Sequence, residues 1–217
     1  RRGEILQGWR NTLFWLEFPT FAPNLNSWSA ASGSKVKYKF NISSEGKDYN
    51  YRGGKDLVVT ASREGDKVKY LIYTFGASNS SAGTIQMDSP KNGTKWHAYD
   101  VEGKNVYVMV STKGATTLKR WSPGGQLTTL FKLEDKGVSV GEFWDFKVFG
   151  NTMIFIESGR IWSMDLTTGK ATWLKNKTQA RSAAFDSAGV LFGQSKGDLY
   201  YMAVDSTTLR DINAEIM

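Results

Sequence analysis

The strongest constraint on this chain is an internal repeat. The stretch "YDVEGKNVYVMVS" from Tyr99 superposes on "FKVFGNTMIFIES" from Phe146 at an offset of 47 residues, with apolar run, turn glycine and second apolar run in the same places. A shorter copy, "FDSAGVLFGQS", starts at Phe185. After each comes a polar hairpin and a further strand pair: "LKRWSPGGQLTTLF", "GRIWSMDLTTGKATWL" and "GDLYYMAVDSTTLRDI". A unit that recurs at such a period cannot bury its own faces and has to stack on its neighbours.

Helical periodicity is nearly absent, whereas short alternating or apolar runs bounded by Gly, Asn, Asp, Ser and Lys recur from end to end, which is the pattern of an all-β chain. Upstream, "GGKDLVVTASREGDKVKYLIYTFG" reads as an earlier strand pair. "NTLFWLEF" and "KVKYKFNI" read as another, parted by the loop "PTFAPNLNSWSAASGS". Units of roughly 40 to 48 residues with four strands each match the blade of a β-propeller. The expectation is a single all-β domain over residues 1–217, with about five blades near 1–48, 49–95, 96–141, 142–179 and 180–217. A fragment of a larger propeller and a β-sandwich or jelly roll are the alternatives.

The stretch "GRIWSMDLTTGKATW" also resembles the repeat of quinoprotein-like and WD-like propellers, whose blades run through an apolar-Asp step, a Thr-Gly-Lys turn and a closing Trp. The resemblance covers about 15 of 217 residues, and "GDLYYMAVDSTTL" follows it loosely, without the turn glycine. It implies a propeller fold. That family contains quinone-dependent dehydrogenases and cofactor-free scaffolds; the quinone-holding and calcium-binding residues of the former are not placed in this chain, and no cofactor is expected. A stretched sialidase Asp-box is legible at Ser163, Asp165, Gly169 and Trp173, two residues too long before the glycine. In both families the motif shapes a turn. Locally, Ile161, Ser163 and Asp165 alternate with Trp162, Met164 and Leu166, as in a half-buried strand. Gly169 supplies the positive φ of the turn, Asp165 reaches the turn amides and Trp173 is free to pack.

Chemistry is sparse. The chain has no cysteine, which excludes disulfides and thiolate metal sites, and a single histidine, His97, which excludes a histidine-rich metal centre. No Gly-x-Ser-x-Gly elbow, phosphate loop or EF-hand loop occurs. Glu142 and Asp145 in "GEFWDF" flank aromatics and are the best acidic pair for a glycoside hydrolase or polysaccharide lyase.

Binding has more support. Trp28 in the long first loop, Tyr49 before the second blade, Trp96 and His97 before the third, and Phe143 and Trp144 before the fourth are expected in loops that open on one face. Aromatics beside Asn, Lys and Asp suit a sugar ring, whose apolar face stacks while its hydroxyls find hydrogen bonds. Lys35, Lys37 and Lys39 share one face of "SKVKYKF", and Lys67 and Lys69 repeat part of this basic surface. Such lysines either hold an anion or guard a strand edge.

The net charge of +7 is compatible with a polyanion, but no block of like charges favours nucleic acid. No apolar run is long enough for a membrane helix. The chain starts at Arg1 and carries four Asn-x-Ser/Thr sequons, at Asn41, Asn79, Asn92 and Asn176. The Arg1 start suggests a processed product or an excised domain, and the sequons allow glycosylation where the pathway exists; the compartment is not read from the sequence, with an extracellular or periplasmic setting slightly favoured. The expected function is a non-catalytic propeller module that recognises a carbohydrate or a partner protein. Carboxylate hydrolysis and a polyanion-binding scaffold are the alternatives.

Overall fold

The computed structural model describes residues 2–9, 12–18, 24–39, 50–53, 56–64, 66–74, 81–88, 94–112, 115–138, 143–174, 180–185, 189–194, 199–203 and 210–211. These form five four-stranded sheets. The first holds β1 (Arg2–Trp9), β2 (Thr12–Phe18), β3 (Asn24–Ser29) and β4 (Lys35–Lys39). The second holds β5 (Asn50–Gly53), β6 (Leu57–Glu64), β7 (Lys67–Thr74) and β8 (Ser81–Asp88). The third holds β9 (Thr94–Glu102), β10 (Asn105–Thr112), β11 (Ala115–Trp121) and β12 (Thr128–Lys132). The fourth holds β13 (Phe143–Phe149), β14 (Thr152–Glu157), β15 (Arg160–Asp165) and β16 (Ala171–Trp173). The last holds β17 (Ala180–Phe185), β18 (Gly189–Gln194), β19 (Leu199–Ala203) and β20 (Arg210–Asp211). In every sheet the strands lie in chain order.

The chain divides into two compact units. One comprises Arg1–Lys95, Val101–Val106 and Arg120–Thr128. Its β1 lies beside β5, so the first strands of two successive sheets are neighbours. Leu57, Val59, Tyr70, Ile72 and Ile85 are buried, and burial pushes the Tyr70 phenol far above its usual range. Trp121 packs so closely on Gly83 that a Cβ there would sit 2.5 Å from the indole.

The other unit comprises Trp96–Asp100, Tyr107–Lys119 and Thr129–Met217. Here the fourth sheet is covered on both faces. Met153, Phe155 and Met164 enter one cluster with Met109, Leu118, Phe146 and Val148. Ile154, Ile156 and Ile161 enter a second with Val190, Phe192 and Met202. Alternation along a strand whose two faces are both buried brings apolar side chains at successive positions. The half-buried reading of "RIWSMDL" is corrected accordingly: Ile161 and Met164, three residues apart, are both fully buried, in different clusters.

The hairpin that follows β15 forms as the sequence predicts. Gly169 has φ 72° and its amide donates to the Asp165 carbonyl at 2.8 Å. Asp165 Oδ1 accepts from the amides of Thr167 at 2.7 Å and Thr168 at 3.0 Å. The Thr168 and Thr167 amides, in that order, hold its carboxyl below the ordinary value. Because the folded value is depressed, this turn's contribution to stability is complete above the unfolded carboxylate range, about 3.9. It disappears as pH falls through the folded value. Carboxyl-carbon NMR should show Asp165 titrating below a reference peptide, and a midpoint at or above the reference would contradict the assignment. Trp173 pairs with Trp162 across the β15–β16 ladder and is 42% exposed.

Three strand assignments also differ. "NLNSWS", read as loop, is β3, so β2 pairs with β3 and not with "KVKYK". "RGEILQGW" supplies β1. The copies from Phe146 and Phe185 are out of step by a few residues. Phe149 and Thr152 close the β13–β14 hairpin, and Phe185 with Val190 closes the equivalent one. Phe185 therefore occupies the place of Phe149. Gly189 is not a turn glycine but the first residue of β18, where a Cβ would fall 2.1 Å from the Met202 carbonyl oxygen.

Candidate functional site

Among the described residues of the first unit, the exposed large aromatic is Trp28, carried by the β3–β4 hairpin. Its turn is closed by the Gly33 amide donating to the Ser29 carbonyl at 2.8 Å and the Ser29 amide donating to the Ser34 carbonyl at 3.0 Å. Gly33 takes φ 65°, which lets the turn close. That fixes the register: Trp28 lies opposite Lys35, Asn26 opposite Lys37 and Asn24 opposite Lys39. Partners directly opposite in an antiparallel ladder share a face. Trp28 is 38% exposed, and Lys35 beside it is exposed. On the next strand inward, the same register continues with Leu13, Trp15 and Glu17. Trp28 is thus a strand residue, not the loop residue the sequence implied; Asn24, Asn26 and Ser27 around it have low strand preference and masked the assignment.

The remaining expected contact residues are also on strands where they are described. Trp96 and His97 belong to β9, and Phe143 and Trp144 to β13, the first strands of the third and fourth sheets. A register shift between Phe143 and Asp145 leaves Trp144 without a cross-strand partner, the position of a β-bulge. Tyr49 and Glu142 lie outside the described residues, as do all four sequons. Asp145 is half-buried, and its Oδ1 accepts from the Phe146 amide at 2.8 Å. Lys67 forms an exposed ion pair with Asp88 across the β7–β8 ladder, and Lys69 lies between Ser62 and Gln86. These two lysines sit on an inner strand of their sheet, whereas Lys35, Lys37 and Lys39 sit on the terminal strand of theirs. Among the described residues no group of three or more His, Asp or Glu is placed to hold a metal ion.

A buried ion pair escaped the sequence reading. Asp100 on β9 is fully buried, and its Oδ1 accepts from Lys147 Nζ at 2.9 Å while Oδ2 accepts from the Val148 amide at 2.8 Å. As the terminal strand of its sheet, β13 has amides without a ladder partner, and Asp100 satisfies one of them. The signal was present: positions 100 and 147 are equivalent in the 47-residue repeat and carry opposite charges inside apolar runs. The pair clasps the first strands of successive sheets.

A second exposed tryptophan ends an aromatic row in the fourth sheet. Phe155 stacks on Trp162 with ring centroids 6.2 Å apart, and Trp162 lies opposite Trp173 in the ladder. Arg160, paired with buried Glu157 at 2.7 Å, places its guanidinium 5.8 Å from the Trp162 ring centroid. The β14–β15 turn beneath it has positive φ at both Ser158 and Gly159, as a tight two-residue hairpin requires.

No known protein family matches the sequence, and no curated protein matches it either. Solved structures do. A chain of a nidogen/laminin complex superposes with a TM-score of 0.57 at 9% identity, over 93% of this chain and 74% of that one. TolB from Acinetobacter baumannii gives 0.56 at 13% identity, over 92% of this chain and 50% of its own. An acylaminoacyl peptidase from Pyrococcus horikoshii gives 0.62 at 12% identity, over 93% and 36%. The chain therefore spans about half of TolB and about a third of the peptidase. Together with the four-stranded antiparallel sheets, these likenesses define the fold class as an all-β propeller.

Proposed function

We propose that this propeller is a non-catalytic binding module whose ligand is a carbohydrate. The observation that carries the reading is Trp28: a large apolar side chain exposed on a sheet surface, in register with asparagines and lysines along the same face. An indole face offers a flat apolar platform at small entropic cost, and Asn and Lys supply donors for hydroxyls. Trp96, His97, Phe143 and Trp144, on the first strands of the third and fourth sheets, belong to the other unit and are proposed as a separate set of contacts there. Of the two acids in the carboxylate alternative, Asp145 accepts a hydrogen bond from the Phe146 amide of its own strand. Among the described residues no helix is long and apolar enough to cross a membrane.

A glycan array tests this directly. Saturable binding to a subset of sugars is expected, reduced roughly tenfold or more by Trp28→Ala, the effect of losing about 1.4 kcal/mol of stacking. The variant's melting temperature should stay close to that of the parent, because the side chain is partly exposed. Silence across the array would remove the carbohydrate reading.

A further inference from the structure

We propose that the β3–β4 face of the first sheet takes an acidic glycan, a run of sugar rings bearing carboxylate or sulfate groups. Trp28 would stack on an apolar ring face, and the row Lys35, Lys37 and Lys39 would meet the anions. This rests on the carbohydrate reading above and narrows it to a ligand class.

The register carries the argument. Asn24, Asn26 and Trp28 form one column and Lys39, Lys37 and Lys35 the column directly opposite, a two-by-three array on one face. Adjacent strands lie about 4.8 Å apart and alternate residues about 6.8 Å apart, so the lysine column extends about 14 Å, longer than one pyranose ring. Positive charge therefore recurs along the strand at intervals suited to a polymer with repeated anions. Along the described register of this face the acidic position is Glu17, on β2, two strands from the lysine column.

Edge protection alone does not account for the array. A single lysine on a terminal strand blocks edge pairing, and it makes no demand on the neighbouring strand. Here the neighbouring column holds Trp28, which is exposed, in register with Asn26 and Asn24. The third strand of the fourth sheet shows the ordinary alternative: Ile161 and Met164 bury themselves in clusters on both faces. The face of β3 that meets the lysines is polar apart from Trp28. Charge complementarity then selects the occupant, since a sugar chain satisfies the indole and amides, and its anions satisfy the lysines.

Calorimetric titration with four probes tests the proposal: a sulfated oligosaccharide, an oligouronate, an uncharged oligoglucose of equal length and single-stranded oligo-dT. At least one acidic sugar is expected to bind roughly tenfold or more tighter than the uncharged one. Its affinity should fall as ionic strength rises from about 0.01 M to about 1 M, where the screening length contracts from about 30 Å to about 3 Å. Replacing Lys35, Lys37 and Lys39 together by Gln should remove most of the preference, and replacing them by Arg should retain it. The single change Lys37→Gln, with a thermal melt of each variant, guards against misfolding of the triple. Trp28→Ala should weaken the acidic sugar but leave its salt dependence. Equal affinity for charged and uncharged sugars would overturn this inference and leave the carbohydrate reading standing. Oligo-dT binding as tightly as the acidic sugars would overturn it in favour of an unselective anion surface. No binding of any sugar would remove both.

Discussion

Lys147→Met should lower the unfolding free energy by about 3–5 kcal/mol, the usual cost of leaving a buried charge without its partner. Asp100 would keep the Val148 amide but lose the ammonium 2.9 Å away, in a site where both residues are almost fully buried. The double variant Asp100→Asn/Lys147→Met should cost distinctly less than the two single changes added together, because neither buried charge is then stranded. Urea unfolding of the four proteins measures this cycle. A loss under about 1 kcal/mol for Lys147→Met would show that water or another group relieves the carboxylate, and that the clasp is not a stabilising element.

Phe155→Ala should be comparably damaging, at about 3–5 kcal/mol. The ring is completely buried in the cluster of Met153, Met164 and Phe146, and it stacks on Trp162. Little can move in to fill the space, because the opposite face of the same strand is held by Ile154 and Ile156 in the second cluster. Denaturant titration should show the midpoint falling. A shift worth less than about 1 kcal/mol would mean that the sheet collapses around the gap.

Much of the architecture was legible because strands such as "NVYVMV", "TMIFIE" and "LVVTAS" announce themselves through branched and apolar residues. The missed strands dilute those residues with polar ones and glycine. β1 carries Gly3, Gly8 and charged neighbours, and β3 is largely Asn and Ser; both are held by pairing with β2, whose own pattern is strong. Tertiary pairing thus overrides local preference. The shift between the copies at Phe146 and Phe185 arose because an apolar residue followed by a turn looks alike whatever the turn length. At the candidate site, the sequence singled out Trp28 and the lysine row separately. Their alignment on one face depended on β3 being a strand, which no local signal indicated. The Asp100–Lys147 clasp was legible in principle, since a repeat that exchanges opposite charges at one position marks contact between neighbours.

The consecutive order of strands within every sheet has a consequence for how the chain reaches its structure. Among the described residues, ladder pairings join strands within one sheet's length of sequence, so the loops to be closed are short and their entropic cost is small. Low contact order of this kind favours rapid formation despite the β-rich content. Each sheet can assemble as its own segment leaves the ribosome, with the next one arriving to cover the apolar face still open to water. The Asp100–Lys147 pair, reaching across 47 residues, then acts late in that sequence, joining a finished sheet to its successor.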